Sequence, residues 1–249
     1  RRARGVDGQR QQRALVRGQL TYAQWWDLFT FGDAQGVFLR QSIEVGPFPW
    51  FTSPELRLHF FRPLSSALIT FDTLVFGDTL WPQHVHSLLW YVALVAVVTA
   101  LYRKRFGLSV GVAALAGFLF AIDDAHALPV SWLANRNAII AVTFAWLGLH
   151  AHLRWRREGW TRGAWLSALA YVVALSAGET AVAGLAYVFA FEAMGSRDPL
   201  RVRAKALAPA VGVNALHAKD HLAGRDITLQ WCWRQKTESS HSVCVRQAE

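Results

Sequence analysis

The chain has 249 residues, 53% of them hydrophobic and only 17% charged, against about 25% charged in an ordinary soluble domain. Its formal net charge is +9, but the basic residues stand in short clusters between apolar runs and form no continuous face, which argues against a nucleic-acid partner. Twelve Trp, fifteen Phe and a positive mean hydropathy fit an integral membrane protein instead, because aromatic residues crowd at membrane–water interfaces.

Residues 1–19 are rich in Arg and Gln and show neither periodicity nor an apolar run. They read as a disordered or foreign segment and not as a signal peptide. Arg1 in place of an initiator Met points to a fragment. Residues 20–83 read as an external, aromatic-rich loop with an interfacial helix. Trp25, Trp26, Phe29, Phe31, Phe38, Phe48, Trp50 and Phe51 alternate there with Gly and Pro, and Pro47, Pro49 and Pro54 exclude a long helix. A small soluble core around the same aromatics is the alternative. Within this region Ser65–Phe76 is a helical run ending at Gly77-Asp78, with Ser65 and Ser66 as cap or first-turn residues. It falls short of the roughly 20 residues that cross a bilayer.

Residues 84–213 read as a transmembrane helical domain. Spans are expected near 84–102, 108–122, 138–153, 164–178 and 180–194, with the start of another at 206–213. The first is the clearest, with no charged residue, aromatics near both ends and Arg103-Lys104-Arg105 directly after it. Several of the others are nearer 15 residues and must borrow flanking Trp, Gly and Thr to cross. Residues 214–249 form a polar tail outside the fold, consistent with truncation or a reading-frame error near Gly212. Its cysteines, Cys232 and Cys244, lack CxxC spacing and define neither a zinc site nor a disulfide framework.

Charge sets the topology, because Lys and Arg clusters mark cytoplasmic loops while carboxylates count for little. Arg103/Lys104/Arg105, then Arg154/Arg156/Arg157/Arg162, then Arg197/Arg201/Arg203/Lys205 occupy every second connection. The intervening turns carry Asp123/Asp124 with Arg136, and Glu179. A single helix over Ala164–Met194 would be about 45 Å long, against a hydrocarbon core of about 30 Å. It would also place the last basic cluster outside, so a hairpin at Gly178-Glu179-Thr180 is preferred. The expected fold is therefore an all-α, polytopic transmembrane bundle with an aromatic-rich external N-terminal loop. Its expected location is a bacterial inner membrane.

The external side then gathers Asp123, Asp124, His126, Asn135, Arg136, Asn137 and Glu179, with Arg62 and Asp72 as candidates to lie nearby. An ionisable group inside a membrane is a functional candidate by default, but at the interface a solvated turn competes with that reading. Glu179 is confined to a tight turn close to the apolar boundary, where desolvation raises a carboxyl pKa unless a cation such as Arg136 pairs with it. His126 has no second ligand at reliable spacing, so no metal site is assigned. His84/His86 and His150/His152 are i,i+2 pairs near helix ends and read as interfacial. Glu192 reads as a solvated or paired end residue. No Gly-rich phosphate loop, Walker motif or Ser/His/Asp order is present.

Phe61-Arg62-Pro63-Leu64-Ser65, then His84-Val85-His86-Ser87-Leu88-Leu89, then the run ending in Phe120-Ala121 resemble the multi-pass glycosyltransferases of the GT-C type. The nearest branch is that of the mannosyl-transferring transmembrane proteins that carry tetratricopeptide repeats, with their bacterial relatives. That branch's second external loop reads approximately H-P-x-H-x-E-A-V-x-x-x-x-G-R-x-D. Asp123-Asp124-Ala125-His126-Ala127-Leu128-Pro129-Val130 and Asn135-Arg136-Asn137 stand there, with His126 on the second His and Arg136 on the Arg. Asp123 replaces the first His, Leu128 the Glu and Ala138 the Asp. Ser176-Ala177-Gly178-Glu179-Thr180 resembles a later small-Lys-Glu motif with the Lys absent. The resemblance covers roughly residues 25–210.

It implies sugar transfer from a polyprenyl-phosphate donor to a protein or glycan acceptor on the external or periplasmic face, within a lipid bilayer. Asp123, Asp124 and Glu179 become the candidate catalytic carboxylates, which orient sugar or acceptor hydroxyls. Arg62, His126, Asn135 and Arg136 become the substrate-binding set, with Arg62 or Arg136 on the lipid-linked phosphate. No cofactor is fixed, although a cation or divalent metal can assist a phosphate leaving group. The family's main general base follows the first helix, so here it would precede or overlap residues 1–19, near Asp7. Whether the chain is an active enzyme therefore stays open. A catalytically incomplete scaffold of the same fold is the first rival, and it expects the acidic cluster to be internally ion-paired. A proton-coupled transporter is the second, and it lacks the internal repeat such proteins show.

Overall fold

The computed structural model describes residues 28–31, 58–77 and 79–223. Among them the chain is helical except for its connections and one short antiparallel ladder. In that ladder β1 (Thr30–Phe31) meets β2 (Leu58–His59), with Thr30 opposite His59 and Phe31 opposite Leu58. The expected segment 1–19, most of the aromatic loop and the tail beyond residue 223 lie outside the described residues.

Each helix begins and ends for a local reason. Helix α1 (Pro63–Phe76) starts on a proline, whose fixed φ suits the first helical position. It stops at Gly77, which takes a φ of 55° that a side chain would resist. Helix α2 (Leu80–Lys104) ends in Arg103 and Lys104, cations placed at the negative end of the helix dipole. Ser109 caps α3 (Val110–Ile122), its hydroxyl accepting from the Val112 amide. A 3₁₀ turn (Asp124–His126), the five-residue α4 (Ala127–Ser131) and a second 3₁₀ turn (Leu133–Asn135) then lead into α5 (Arg136–Glu158). Gly159 closes α5 in the left-handed region. After α6 (Arg162–Ala177), Gly178 and a 3₁₀ turn (Glu179–Ala181) lead into α7 (Val182–Ala190). A π turn (Phe191–Gly195) and α8 (Leu200–Ala223), with Pro209 inside it, complete the order.

The hairpin expected at Gly178 is present. The Tyr171 hydroxyl of α6 donates to the Gly184 carbonyl of α7 at 3.1 Å. A continuous helix would separate those residues by about 20 Å. The core centres on the α5–α6 pair, the most extensive helix contact, around Ile140, Ala145, Leu149, Tyr171, Ala174 and Leu175. Small residues let the backbones close. A Cβ on Gly148 would meet the Tyr171 ring at 3.1 Å, and one on Gly163 would meet the Ala151 carbonyl at 2.6 Å. Close approach through Gly and Ala is how helices associate where solvent and core are equally apolar.

Polarity is inverted across this bundle. Helix α1 buries Ser65, Ser66, Thr70 and Asp72 while exposing Phe71, Leu74 and Val75. Elsewhere Leu89, Val92, Phe118, Leu119, Leu169 and Phe189 are exposed, whereas Arg136, His152 and Glu192 are buried. Helix α2, with 25 residues, is long and apolar enough to cross a membrane. Helix α3 together with Asp124–Ser131 passes the same test as a pair bent by 52°. Helix α5 is nearly as long but carries Asn137, His150 and His152, and α6 and α7 are shorter than a span.

One local expectation resolves and three change. Ser65 and Ser66 stand in the first turn of α1, as one of their two expected roles had it, and do not cap it. Ser65 Oγ donates to the Ala177 carbonyl at 2.7 Å and Ser66 Oγ accepts from the Leu28 amide at 3.2 Å, so both tie α1 to its neighbours. The run expected to start at Ala138 begins at Arg136, which brings Arg136 and Asn137 inside the first turn of α5. The span expected at 180–194 is broken into a 3₁₀ turn, α7 and the π turn. The run expected to fade after Val213 continues as α8 to Ala223.

The Gly163 contact gives a stability test. Gly163→Leu must displace backbone of α5 and is expected to cost about 1–3 kcal/mol, read as a lowered thermal midpoint in detergent. Gly111→Leu, where a Cβ meets nothing within 4 Å, is expected to leave the midpoint unreduced.

Candidate polar site at one end of the bundle

The first turn of α5 faces α1, α2 and the Gly178 turn, and polar side chains converge there. Arg136 Nη2 lies 2.5 Å from Asp72 Oδ2, with both side chains nearly fully buried. Charge holds that contact, because it lies outside hydrogen-bond geometry: Asp72 Oδ2 and Arg136 Nη1 have no hydrogen-bond partner among the described residues. The other Asp72 oxygen lies 2.7 Å from His86 Nδ1, and Trp90 Nε1 donates to His86 Nε2 at 3.0 Å. An indole N–H can only donate. His86 Nε2 therefore accepts, and the ring proton sits on Nδ1 and points at Asp72. The tautomer follows from connectivity.

Next to Asn137 of the same α5 turn, Arg62 holds Glu179 through its Nε at 2.8 Å and its Nη2 at 2.6 Å. The Arg62 guanidinium lies between the Phe29 and Phe60 rings, 4.9 and 4.7 Å from their centroids, a desolvated cation–π setting. With its amide turned to satisfy both neighbours, Asn137 donates to the Ala134 carbonyl at 2.9 Å and accepts from Arg62 Nη1 at 3.2 Å. A Cβ on Gly178 would strike the Asn137 amide at 2.9 Å, which explains a glycine there although its backbone is extended.

The expected partners are thus exchanged. Glu179 pairs with Arg62 and not with Arg136, whose carboxylate is Asp72. Asp123 is exposed and caps the 3₁₀ turn, accepting from the Ala125 amide at 2.9 Å, and Asp124 is exposed at the start of that turn. Neither joins the ion pairs. Asn135 ends the second 3₁₀ turn, half-buried, directly before Arg136. His86 is a ligand of Asp72 and not a free interfacial residue. Among the described residues no three His, Cys, Asp or Glu side chains form a metal-binding set.

His126 lies apart from the pairs, in an apolar cleft of about 260 Å³. Leu94, Phe120, Ile139, Val142, Trp146 and Tyr187 contribute to its walls, and Thr180, next to Glu179, also lines it. The His126 ring packs 4.4 Å from Phe120 and 5.6 Å from Tyr91, centroid to centroid. Its Nδ1 is buried without a hydrogen-bond partner among the described residues.

A second polar cluster occupies the other end of α5, with His152 about 24 Å and Arg156 about 30 Å from Arg136 at 1.5 Å per residue. Buried Glu192 receives His152 Nε2 at 2.9 Å and Arg156 Nε at 2.8 Å, and Arg156 also reaches Asp198 at 2.6 Å. Arg203 donates to the Glu192 and Ala193 carbonyls of the π turn, both at 3.1 Å. Arg105 pairs with Glu158 and holds its carboxyl below the usual range. Glu192 is accordingly paired, as one of its expected alternatives had it, while His152 is buried and not interfacial. All three basic clusters meet at this end.

His86 and Trp90 were not assigned to the site from sequence, and Asp72 was named only as a candidate neighbour of it. Asp72 did carry a signal, a lone carboxylate within an apolar helical run. No family model, curated protein or solved structure matches the chain.

Removing Asp72 leaves a buried guanidinium without a counter-charge. Asp72→Ala is expected to cost about 3–5 kcal/mol, while Asp123→Ala, losing only an exposed cap, is expected to cost about 1 kcal/mol. Denaturant unfolding followed by Trp fluorescence compares them. The pair Asp72→Leu with Arg136→Met is expected to recover much of the loss, since two apolar groups replace two charges.

Proposed function

We propose that the chain is the membrane-embedded part of a GT-C-like glycosyltransferase that binds a polyprenyl-phosphate sugar at the Arg136 end of α5. The observation that carries this reading is the apolar cleft with His126 as the one basic group among the described residues of its lining. At about 260 Å³ it is near the lower limit of small-molecule pockets, roughly 300 Å³. It suits the first units of an isoprenoid tail, with the phosphate at the mouth beside His126. Exposed Asp124, two residues before His126, is then the carboxylate nearest in sequence to that phosphate. In the transfer an acceptor hydroxyl attacks the anomeric carbon, its proton passes to a carboxylate, and the bond from that carbon to the phosphate oxygen breaks. The polyprenyl phosphate leaves carrying the bond's electron pair. The polytopic membrane placement is supported by α2, by the apolar perimeter and by the separation of the two polar ends.

One observation favours a second reading, a scaffold of the same fold without transfer. Arg62 and Arg136 are both already paired with carboxylates, which leaves less positive potential for a phosphate. The two readings part on ligand binding. Farnesyl phosphate is expected to quench the fluorescence of detergent-solubilised chain through Trp146 and to bind at least tenfold tighter than farnesol, given about 1.5–3 kcal/mol for a charge-assisted hydrogen bond. His126→Ala is expected to abolish that preference. Equal affinity for the phosphate and the alcohol would favour the scaffold. In a full-length parent, Asp124→Asn and Glu179→Gln are expected to abolish transfer with expression retained, and unchanged transfer by both would reject these two as catalytic.

A further inference from the structure

Among the described residues, the carboxylates Glu158, Glu192 and Asp198 at the far end of α5 are consumed internally. Glu158 serves Arg105 and Arg154, Glu192 serves Arg156 and His152, and Asp198 serves Arg156. Outside that inner shell stand Arg103, Lys104, Arg162, Arg197, Arg201 and Lys205, all exposed and none in contact with a carboxylate among the described residues. They come from three chain segments: the end of α2, the start of α6, and the approach to and first turns of α8. The inner pairs bring those segments together, so the outer cations form a rim of uncompensated charge. The Arg136 end is the opposite case, with Arg62 and Arg136 both neutralised and Asp123 and Asp124 exposed.

What flanks the rim identifies its partner. Trp165, Phe106, Leu200 and Met194 are exposed at the same end, at 81%, 52%, 78% and 83%. Large apolar and aromatic groups interleaved with free cations suit a surface that offers phosphodiesters directly above hydrocarbon. A nucleic acid or free phosphate would use the cations and leave the apolar groups in water.

We infer that the rim formed by Arg103, Lys104, Arg162, Arg197, Arg201 and Lys205 binds the headgroups of anionic phospholipids in one leaflet. The inference rests on the membrane part of the proposed function and not on sugar transfer. Each cation near an anionic surface contributes about fivefold to affinity at low salt. The gain shrinks as ions screen exposed charges over about 10 Å at 0.1 M salt.

The test reconstitutes the full 249-residue chain into vesicles of phosphatidylcholine alone and of equal parts phosphatidylcholine and phosphatidylglycerol. Thermal midpoint and vesicle co-flotation are read at low and high salt. The expected result is a higher midpoint with phosphatidylglycerol at low salt, lost at high salt and not reproduced by inorganic phosphate. The triple variant Arg197→Gln, Arg201→Gln, Lys205→Gln removes none of the contacts seen in the fold. It is expected to keep the midpoint in phosphatidylcholine and lose most of the phosphatidylglycerol increment. Equal midpoints in the two lipids, an undiminished increment in the triple variant, or equal stabilisation by an RNA oligonucleotide would overturn the inference. Carbonate-resistant insertion in both lipids without a phosphatidylglycerol effect rejects the rim alone. Salt-sensitive flotation only with phosphatidylglycerol, without insertion, keeps the rim and rejects the spanning placement. Neither insertion nor flotation rejects both.

Discussion

The buried contact between Asp72 and Arg136 is the constraint on which the rest of this bundle depends. Moving a carboxylate and a guanidinium out of water costs several kcal/mol per ion, and only close pairing with further hydrogen bonds offsets it. Here the offset is distributed over three helices. Asp72 comes from α1, Arg136 from the first turn of α5, and His86 with Trp90 from α2. Each helix supplies a polar group that is tolerable only if the other two are in place, so the polar contacts specify one arrangement of otherwise interchangeable apolar helices. The indole of Trp90 fixes the His86 tautomer, and the tautomer aims a proton at Asp72. Specificity comes from direction, which apolar packing cannot supply.

Helix α5 carries this logic to the opposite end. Its first turn holds Arg136 and Asn137, and its last two turns hold His152 and Arg156, which clasp Glu192 of the π turn. Between them runs a seam of Ala141, Ala145 and Gly148 against Tyr171 and Ala174. The seam sets how closely α5 and α6 approach, and the two polar ends set their register along the axis. The π turn at Phe191–Gly195 opens backbone carbonyls, and Arg203 satisfies two of them, so α8 is anchored where α7 would otherwise fray.

Much of this was legible in the sequence because hydrophobic length and charge clusters are local signals. The helical class, the separation of acidic turns from basic clusters and the hairpin at Gly178 all follow from runs of residues adjacent in sequence. The pairing of ions did not follow. Glu179 lies 43 positions from Arg136 and 117 from Arg62, and no local feature says which guanidinium reaches it. Ser65 and Ser66 occupy helix-start positions that favour caps, yet tertiary neighbours claim their hydroxyls. His86 and His152 each belong to an i,i+2 pair near a helix end. One member of each pair finds a carboxylate from another helix, which periodicity alone cannot show. Asp72 was expected near the cluster, and the missed clue was its partner, since a carboxylate in an apolar run needs a cation and Arg136 was already in view.

The pairing also bears on how such a site could act. A guanidinium locked to a carboxylate in low dielectric presents little net charge, so a phosphate must either displace the carboxylate or bind beside a neutral pair. Asp72 is held by Arg136 on one oxygen and by His86 on the other, and both ions of the pair are buried, which makes displacement costly. Arg62 is held by Glu179, whose side chain is 34% exposed, and is flanked by aromatic faces that tolerate exchange of one anion for another. Of the two cations, Arg62 is therefore the one better placed to exchange its anion, while Arg136 stays a structural tie between α1 and α5.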